Sequence, residues 1–115
     1  MRSLLVLLCC VGLVTAQANF VAVNICEGGR ADIGCPAGQV MVIQRAYYGR
    51  KDPSKCPGKN TNYTECEATN SEAYIKNACG GHQSCYLIST NDTFGRDPCE
   101  DTSKYTHVEY YCHAL

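Results

Sequence analysis

Apolar and polar positions alternate in short runs separated by turn-forming residues, which predicts a small, strand-rich domain. From Asn19 to Cys26 (NFVAVNIC), an extended chain places Phe20, Ala22 and Asn24 on one face and Val21, Val23 and Ile25 on the other. The strongest strand signal is Gln39 to Ala46 (QVMVIQRA), and Tyr47-Tyr48-Gly49 reads as the break that ends it. Two further strands are predicted, Ser84 to Thr90 (SCYLIST) and Tyr105 to Cys112 (YTHVEYYC), the second with Val108, Tyr110 and Cys112 on a shared face. A short helix is predicted over Glu72 to Ala78, capped by Asn70 or Ser71 and terminated by Gly80-Gly81. Lys51 to Thr64, with Pro53, Pro57 and Gly58, and Asn91 to Ser103, with Gly95, Asp97 and Pro98, read as long loops. No repeat or linker divides the chain. The expected fold is one small α/β (α+β) domain of a few antiparallel strands, one or two short helices and long ordered loops.

The N-terminal pattern is of another kind. Arg2 precedes an apolar run, Leu4 to Val14, and small residues follow in Thr15-Ala16-Gln17-Ala18. That order is that of a secretory signal peptide at 1–18, cleaved after Ala16 or Ala18, and the run is too short to span a bilayer. The domain then occupies 19–115, and a secreted, extracellular protein without a membrane anchor is expected.

This reading changes the cysteine arithmetic. Of ten cysteines, Cys9 and Cys10 fall in the leader, and eight remain: Cys26, Cys35, Cys56, Cys66, Cys79, Cys85, Cys99 and Cys112. In an oxidising compartment an even set reads as four disulfides with no spare thiol, though counting alone leaves the pairing open. Charge adds little. Without Arg2, nine Lys and Arg face eleven Asp and Glu, a formal net charge of −2. No basic stripe runs along the chain, which argues against nucleic acid as a partner.

Catalytic and metal chemistries find little support. Cys79, His82 and Cys85 are zinc-type ligands, but a fourth is lacking and the compartment favours a local Cys79–Cys85 bridge with an exposed His82, so no metal or cofactor is expected. There is no Gly-x-Ser-x-Gly elbow, and His82, His107 and His113 have no sequence partner that would mark a base, so the chain is not expected to be an enzyme. Two glycosylation sequons are present, at Asn62 and, as a poorer acceptor with Asp92 in the middle position, at Asn91. What remains is a set of polar loop residues suited to a sugar: carboxylates to accept from hydroxyls, an ammonium or amide to donate, and an aromatic face.

The order Cys26-Glu27-Gly28, Tyr48-Gly49-Arg50, Phe94-Gly95…Asp97-Pro98-Cys99, and Lys104-Tyr105 running into Val108-Glu109-Tyr110-Tyr111-Cys112 resembles the rhamnose/galactose-binding lectin family, the sea-urchin-egg-lectin (SUEL) type. The resemblance covers essentially all of 19–115. It implies a calcium-independent site for L-rhamnose or D-galactose and the pairing Cys26–Cys56, Cys35–Cys112, Cys66–Cys99 and Cys79–Cys85. By position, Glu27 and Asp97 resemble the family's hydroxyl acceptors, Lys104 the donor, Tyr48 the ring that packs against the sugar, and Asn91 a further ligand. Arg50 is expected to brace loops rather than bind, and Asp97 is also placed to cap the turn at Pro98. Three departures stand at the site: Arg96 is inserted where the family reads Phe-Gly-Asp-Pro-Cys, Asp101 replaces a typical glycine, and Thr106 follows Lys104-Tyr105 where the family reads Lys-Tyr-Leu. Replacing Glu27 or Lys104 by Ala is expected to abolish sugar binding with little change in melting temperature. Non-covalent self-association is expected, as a homodimer or higher oligomer on glycan partners. The alternative is a protein-interaction module on the same scaffold with a lost or altered sugar site.

Overall fold

The computed structural model describes residues 20–115; the expected leader, and Asn19 at the head of the first expected strand, lie outside them. Along the chain run β1 (Val21–Cys26), β2 (Arg30–Gly34), β3 (Gln39–Arg50), β4 (Cys66–Glu67), α1 (Ser71–Cys79), β5 (Ser84–Ile88) and β6 (Tyr105–Ala114). One sheet has the order β1-β6-β3-β4, and β2 pairs with β5 in a second. All these pairings are antiparallel.

The period-two pattern explains which faces are buried. Strand β6 sends Thr106, Val108 and Tyr110 inward, against Ile25 of β1 and Met41, Ile43 and Ala46 of β3. Helix α1 covers this face with Ile75 and Cys79, four residues apart and so on one stripe, and Leu87 of β5 joins them. Gly80 N–H closes the helix by donating to the Lys76 carbonyl at 2.8 Å. The structure has a single helix among the described residues, one residue longer at each end than expected.

Strand β3 corrects the sequence reading most. It does not break at Tyr47-Tyr48-Gly49 but continues to Arg50. The register with β6 slips by one residue between Ile43 and Arg45, so Gln44 is bulged. A bulge inverts the alternation beyond it. Odd-numbered Met41 and Ile43 face the core before it, and even-numbered Ala46, Tyr48 and Arg50 face inward after it. Gly49 is present because β4 lies against it: a Cβ there would overlap the Cys66 carbonyl. Strand β2 had no clear signal, since only Ile33 of its five residues is buried. Strand β5 stops at Ile88 rather than Thr90, and β6 runs on to Ala114.

Four disulfides, Cys26–Cys56, Cys35–Cys112, Cys66–Cys99 and Cys79–Cys85, tie these elements to the loops. The segment after β3 is further ordered by Arg50, which is fully buried. Its Nε donates to the Ser103 carbonyl at 2.6 Å, and its guanidinium NH groups donate to the carbonyls of Asp52 (2.9 Å), Lys55 (2.6 Å) and Cys56 (2.5 Å). A guanidinium fork spent on four carbonyls is a scaffold.

Candidate functional site

Three chain segments meet at one end of the larger sheet. Cys26 is opposite Tyr105 at the last rung of the β1–β6 ladder, so Glu27 and Lys104 face each other one step beyond it. The backbone holds them there: Glu27 N–H donates to the Lys104 carbonyl at 2.9 Å, and Lys104 N–H donates to Glu27 Oε1 at 2.9 Å. The third segment brings Asp97, whose Oδ1 caps the following turn by accepting from Cys99 N–H at 3.0 Å. Both carboxylates are thus anchored beside half-cystines, Glu27 next to Cys26 and Asp97 two residues before Cys99.

Lys104 joins them. Its Nζ donates to the Thr102 carbonyl at 2.7 Å and to Asp97 Oδ1 at 3.0 Å, with longer contacts to Glu27 Oε1 at 3.4 Å and the Cys99 carbonyl at 3.5 Å. The lysine side chain is 3 % exposed, whereas those of Glu27 and Asp97 are 34 % and 30 % exposed. The ammonium therefore lies beneath two carboxylates that face solvent. This corrects the expectation that Lys104 can be removed without a change in melting temperature: the cation is buried, and its loss leaves two acids without a counter-charge. Above the three groups lies a hollow of about 410 Å³, also walled by Lys59, Asp101 and Ser103.

Tyr48 and Asn91 form a second, adjoining unit. Tyr48 is fully buried, with its ring stacked on Phe94 at 4.6 Å and an interplanar angle of 12°. It brings to the site its hydroxyl, which donates to Asn91 Oδ1 at 2.7 Å, and not an open ring face to pack against a sugar. Burial, with the nearby charges of Glu27 and Asp97, pushes the phenol well above its ordinary range, so it stays a neutral donor. The carbonyl end of Asn91 is thereby held, which leaves its amide N–H groups as its remaining donors.

Asp101 is exposed, lines the hollow, and sits at φ 65°, the left-handed conformation that glycine adopts most readily. Sequence reasoning missed Lys59 and Ser103. Lys59 N–H donates to Ser103 Oγ at 2.8 Å and Ser103 N–H to the Lys59 carbonyl at 3.0 Å, a long-range clasp with no local signature. His107 is braced between Asn24 Oδ1 (2.6 Å) and Glu109 Oε2 (2.7 Å), within β1 and β6. Cys79 and Cys85 are bridged beside an exposed His82, and no group of three or more His, Cys, Asp or Glu side chains is arranged to hold a metal among the described residues. Asn62 is exposed on its loop.

Comparison with known proteins agrees in one direction. The family model for the D-galactoside/L-rhamnose binding SUEL lectin domain matches residues 33–112. The chain is 40% identical over 95 residues to a D-galactoside-specific lectin of Heliocidaris crassispina, covering 80% of this chain and 90% of that one. It is 39% identical over 91 residues to the L-rhamnose-binding lectin ELEL-1 of Echinometra lucunter, covering 77% and 87%. A latrophilin-like protein 1 of Caenorhabditis elegans is 32% identical over 101 residues, but the match spans only 10% of that protein.

Proposed function

The chain belongs to the D-galactoside/L-rhamnose-binding SUEL lectin family, and from that premise we propose that it is a secreted, calcium-independent lectin for terminal galactose- or L-rhamnose-type sugars on cell-surface or secreted glycans. The observation that carries this reading is the Lys104 ammonium held under Glu27 and Asp97 at a single hollow. Neighbouring sugar hydroxyls each donate and accept. Glu27 and Asp97 accept from such a pair. The ammonium's contacts to Glu27 (3.4 Å) and to the Cys99 carbonyl (3.5 Å) are long and weak beside those to Thr102 and Asp97, so a sugar oxygen competes for the proton on the Glu27 side. Asn91, positioned by Tyr48, donates from the flank. Galactose and rhamnose share a relative arrangement of adjacent hydroxyls, and a site that reads that arrangement accepts both.

Calcium has no role in this reading, since Lys104 already supplies positive charge between the two acids. A single shallow site of this kind binds on the order of 1 mM, about 4 kcal/mol. Avid glycan binding then rests on several sites acting together through a non-covalent homodimer or higher oligomer. The Asn62 sequon, exposed and remote from the carboxylates in sequence, is the expected glycosylation position.

A glycan array on the secreted protein, repeated in EDTA, tests the reading. Galactose- and rhamnose-terminated glycans are expected to bind equally with and without chelator, and Glu27→Gln is expected to abolish the signal. Binding of no such glycan overturns the lectin reading in favour of a protein-interaction module on this scaffold. Loss of binding in EDTA overturns the calcium-independent part alone.

A further inference from the structure

Beside the carboxylate hollow lies a second cavity, of about 370 Å³, that the galactose/rhamnose reading leaves unused. Its walls include Thr69 and Asn70 ahead of α1, and Phe94, Arg96 and Pro98 of the loop that carries Asp97. The two hollows open on either side of one short stretch of chain: Asp97 lines the first, while its neighbours Arg96 and Pro98 line the second. Consecutive Cα atoms are about 3.8 Å apart, so the nearest walls of the two cavities lie within one residue of each other along the chain. A glycan whose terminal sugar sits over Glu27 and Asp97 would have only this stretch to cross for its next residue to meet the second cavity.

The chemistry of this cavity differs from that of the first. Phe94 has one face stacked on Tyr48 and is met edge-on by Tyr74 at 5.2 Å, so it is held rigidly where it lines the cavity, and with Pro98 it supplies apolar surface for the C–H side of a pyranose. Thr69 and Asn70 supply hydroxyl and amide groups; the Asn70 side chain makes no capping bond to α1. The charge balance is decided by Arg96. It is exposed and has no ion-pair partner among the described residues. Glu67 is the one acid on this wall, and Lys51 neutralises it at 2.7 Å. A guanidinium left unpaired at the mouth of a polar cavity matches the planar, bidentate oxygens of a carboxylate or sulfate.

Building on the lectin reading above, we infer that Phe94, Arg96 and Pro98, with Thr69 and Asn70, form a second sugar subsite for the penultimate residue of a glycan, and that Arg96 makes this subsite favour an acidic sugar, carboxylated or sulfated. Arg96 is then a specificity residue, and its insertion before Asp97 extends the site from one sugar to two.

Titration calorimetry on the intact protein tests this with galactose, N-acetyllactosamine, its 6-sulfated glucosamine form, and galactosyl-glucuronic acid. The sulfated and carboxylated disaccharides are expected to bind roughly three- to ten-fold tighter than N-acetyllactosamine, an advantage that falls with added salt. If only one acidic disaccharide gains, the subsite is assigned to that acid; a gain by both assigns it to either. Arg96→Gln is expected to remove the acidic advantage and Arg96→Glu to invert it, with galactose itself bound as before in both. Equal binding of neutral and acidic disaccharides, or an acidic advantage that survives Arg96→Glu, overturns the subsite while galactose binding still upholds the lectin reading. Failure of all four probes overturns both.

Discussion

Replacing Lys104 by Met keeps most of the aliphatic stem and removes the ammonium from between Glu27 and Asp97. Four contacts of the ammonium disappear at once, and the Thr102 carbonyl, on a residue 4 % exposed, loses its partner. Removing one member of a fully buried ion pair costs about 3–5 kcal/mol. Here the two carboxylates are about a third exposed, so water and salt take over part of the lost interaction, which reduces the expected loss to about 2–3 kcal/mol. For a domain of this size each kcal/mol moves the melting temperature by about 4–8 °C, so Lys104→Met should melt about 10–20 °C lower than wild type at pH 7. The deficit should shrink with added salt, which screens the repulsion between the two partly exposed carboxylates. It should also be smaller in Glu27→Gln/Lys104→Met than the two single variants together imply, because the residues touch. Thermal unfolding followed by circular dichroism, with disulfides intact, measures all three. A Lys104→Met protein that melts within about 2 °C of wild type, or that still binds galactose undiminished, would refute the buried-cation argument.

Glu27→Gln keeps an oxygen for the Lys104 N–H, so it should cost no more than about 1–2 kcal/mol of stability in denaturant titration while abolishing galactose binding. Tyr48→Phe removes the hydroxyl that holds Asn91; it should lower stability by about 1 kcal/mol and weaken galactose binding several-fold in calorimetry. Burial raises the phenols of both Tyr47 and Tyr48, so the unfolded chain releases their protons first and stability should fall as the pH rises above about 10, less steeply in Tyr47→Phe and Tyr48→Phe. Urea titrations at pH 8 and above 10 read this slope, and a pH-independent midpoint would contradict it. Replacing Cys66 and Cys99 together by Ser releases a 33-residue separation and the Asp97 loop with it; the expected loss is about 3–4 kcal/mol in denaturant titration, accompanied by loss of sugar binding.

How much of this was legible depends on the range over which each signal acts. The alternation in Asn19–Cys26, Gln39–Ala46 and Tyr105–Cys112 located the three long strands because one face of each is committed to the core. The resemblance supplied what no pattern in the residues contains, namely which loop residues stand together. Strand β2 was missed because it buries little, and β4 because two residues carry no period. The end of β3 was misjudged for a physical reason: Gly49 punctuates a sequence, yet here it admits a neighbouring backbone. The burial of Lys104 was equally invisible, since it arises from Asp97 and Glu27 approaching from distant segments. The same holds for Tyr48 of β3, whose covering partner Phe94 lies on a loop distant in sequence.

The single extra residue at Gln44 divides one strand into two parts with separate duties. Ahead of it, inward positions fill the apolar interior; behind it, they aim a tyrosine and an arginine at the binding end. Deleting Gln44 would leave Arg45 onward on its present partners in β6, so Tyr48 would still face inward beside Thr106, and only the local kink that sets the direction of the far half would be lost. The far half therefore serves two ends at once, since the strand that positions Asn91 through Tyr48 also orders the neighbouring loop through Arg50.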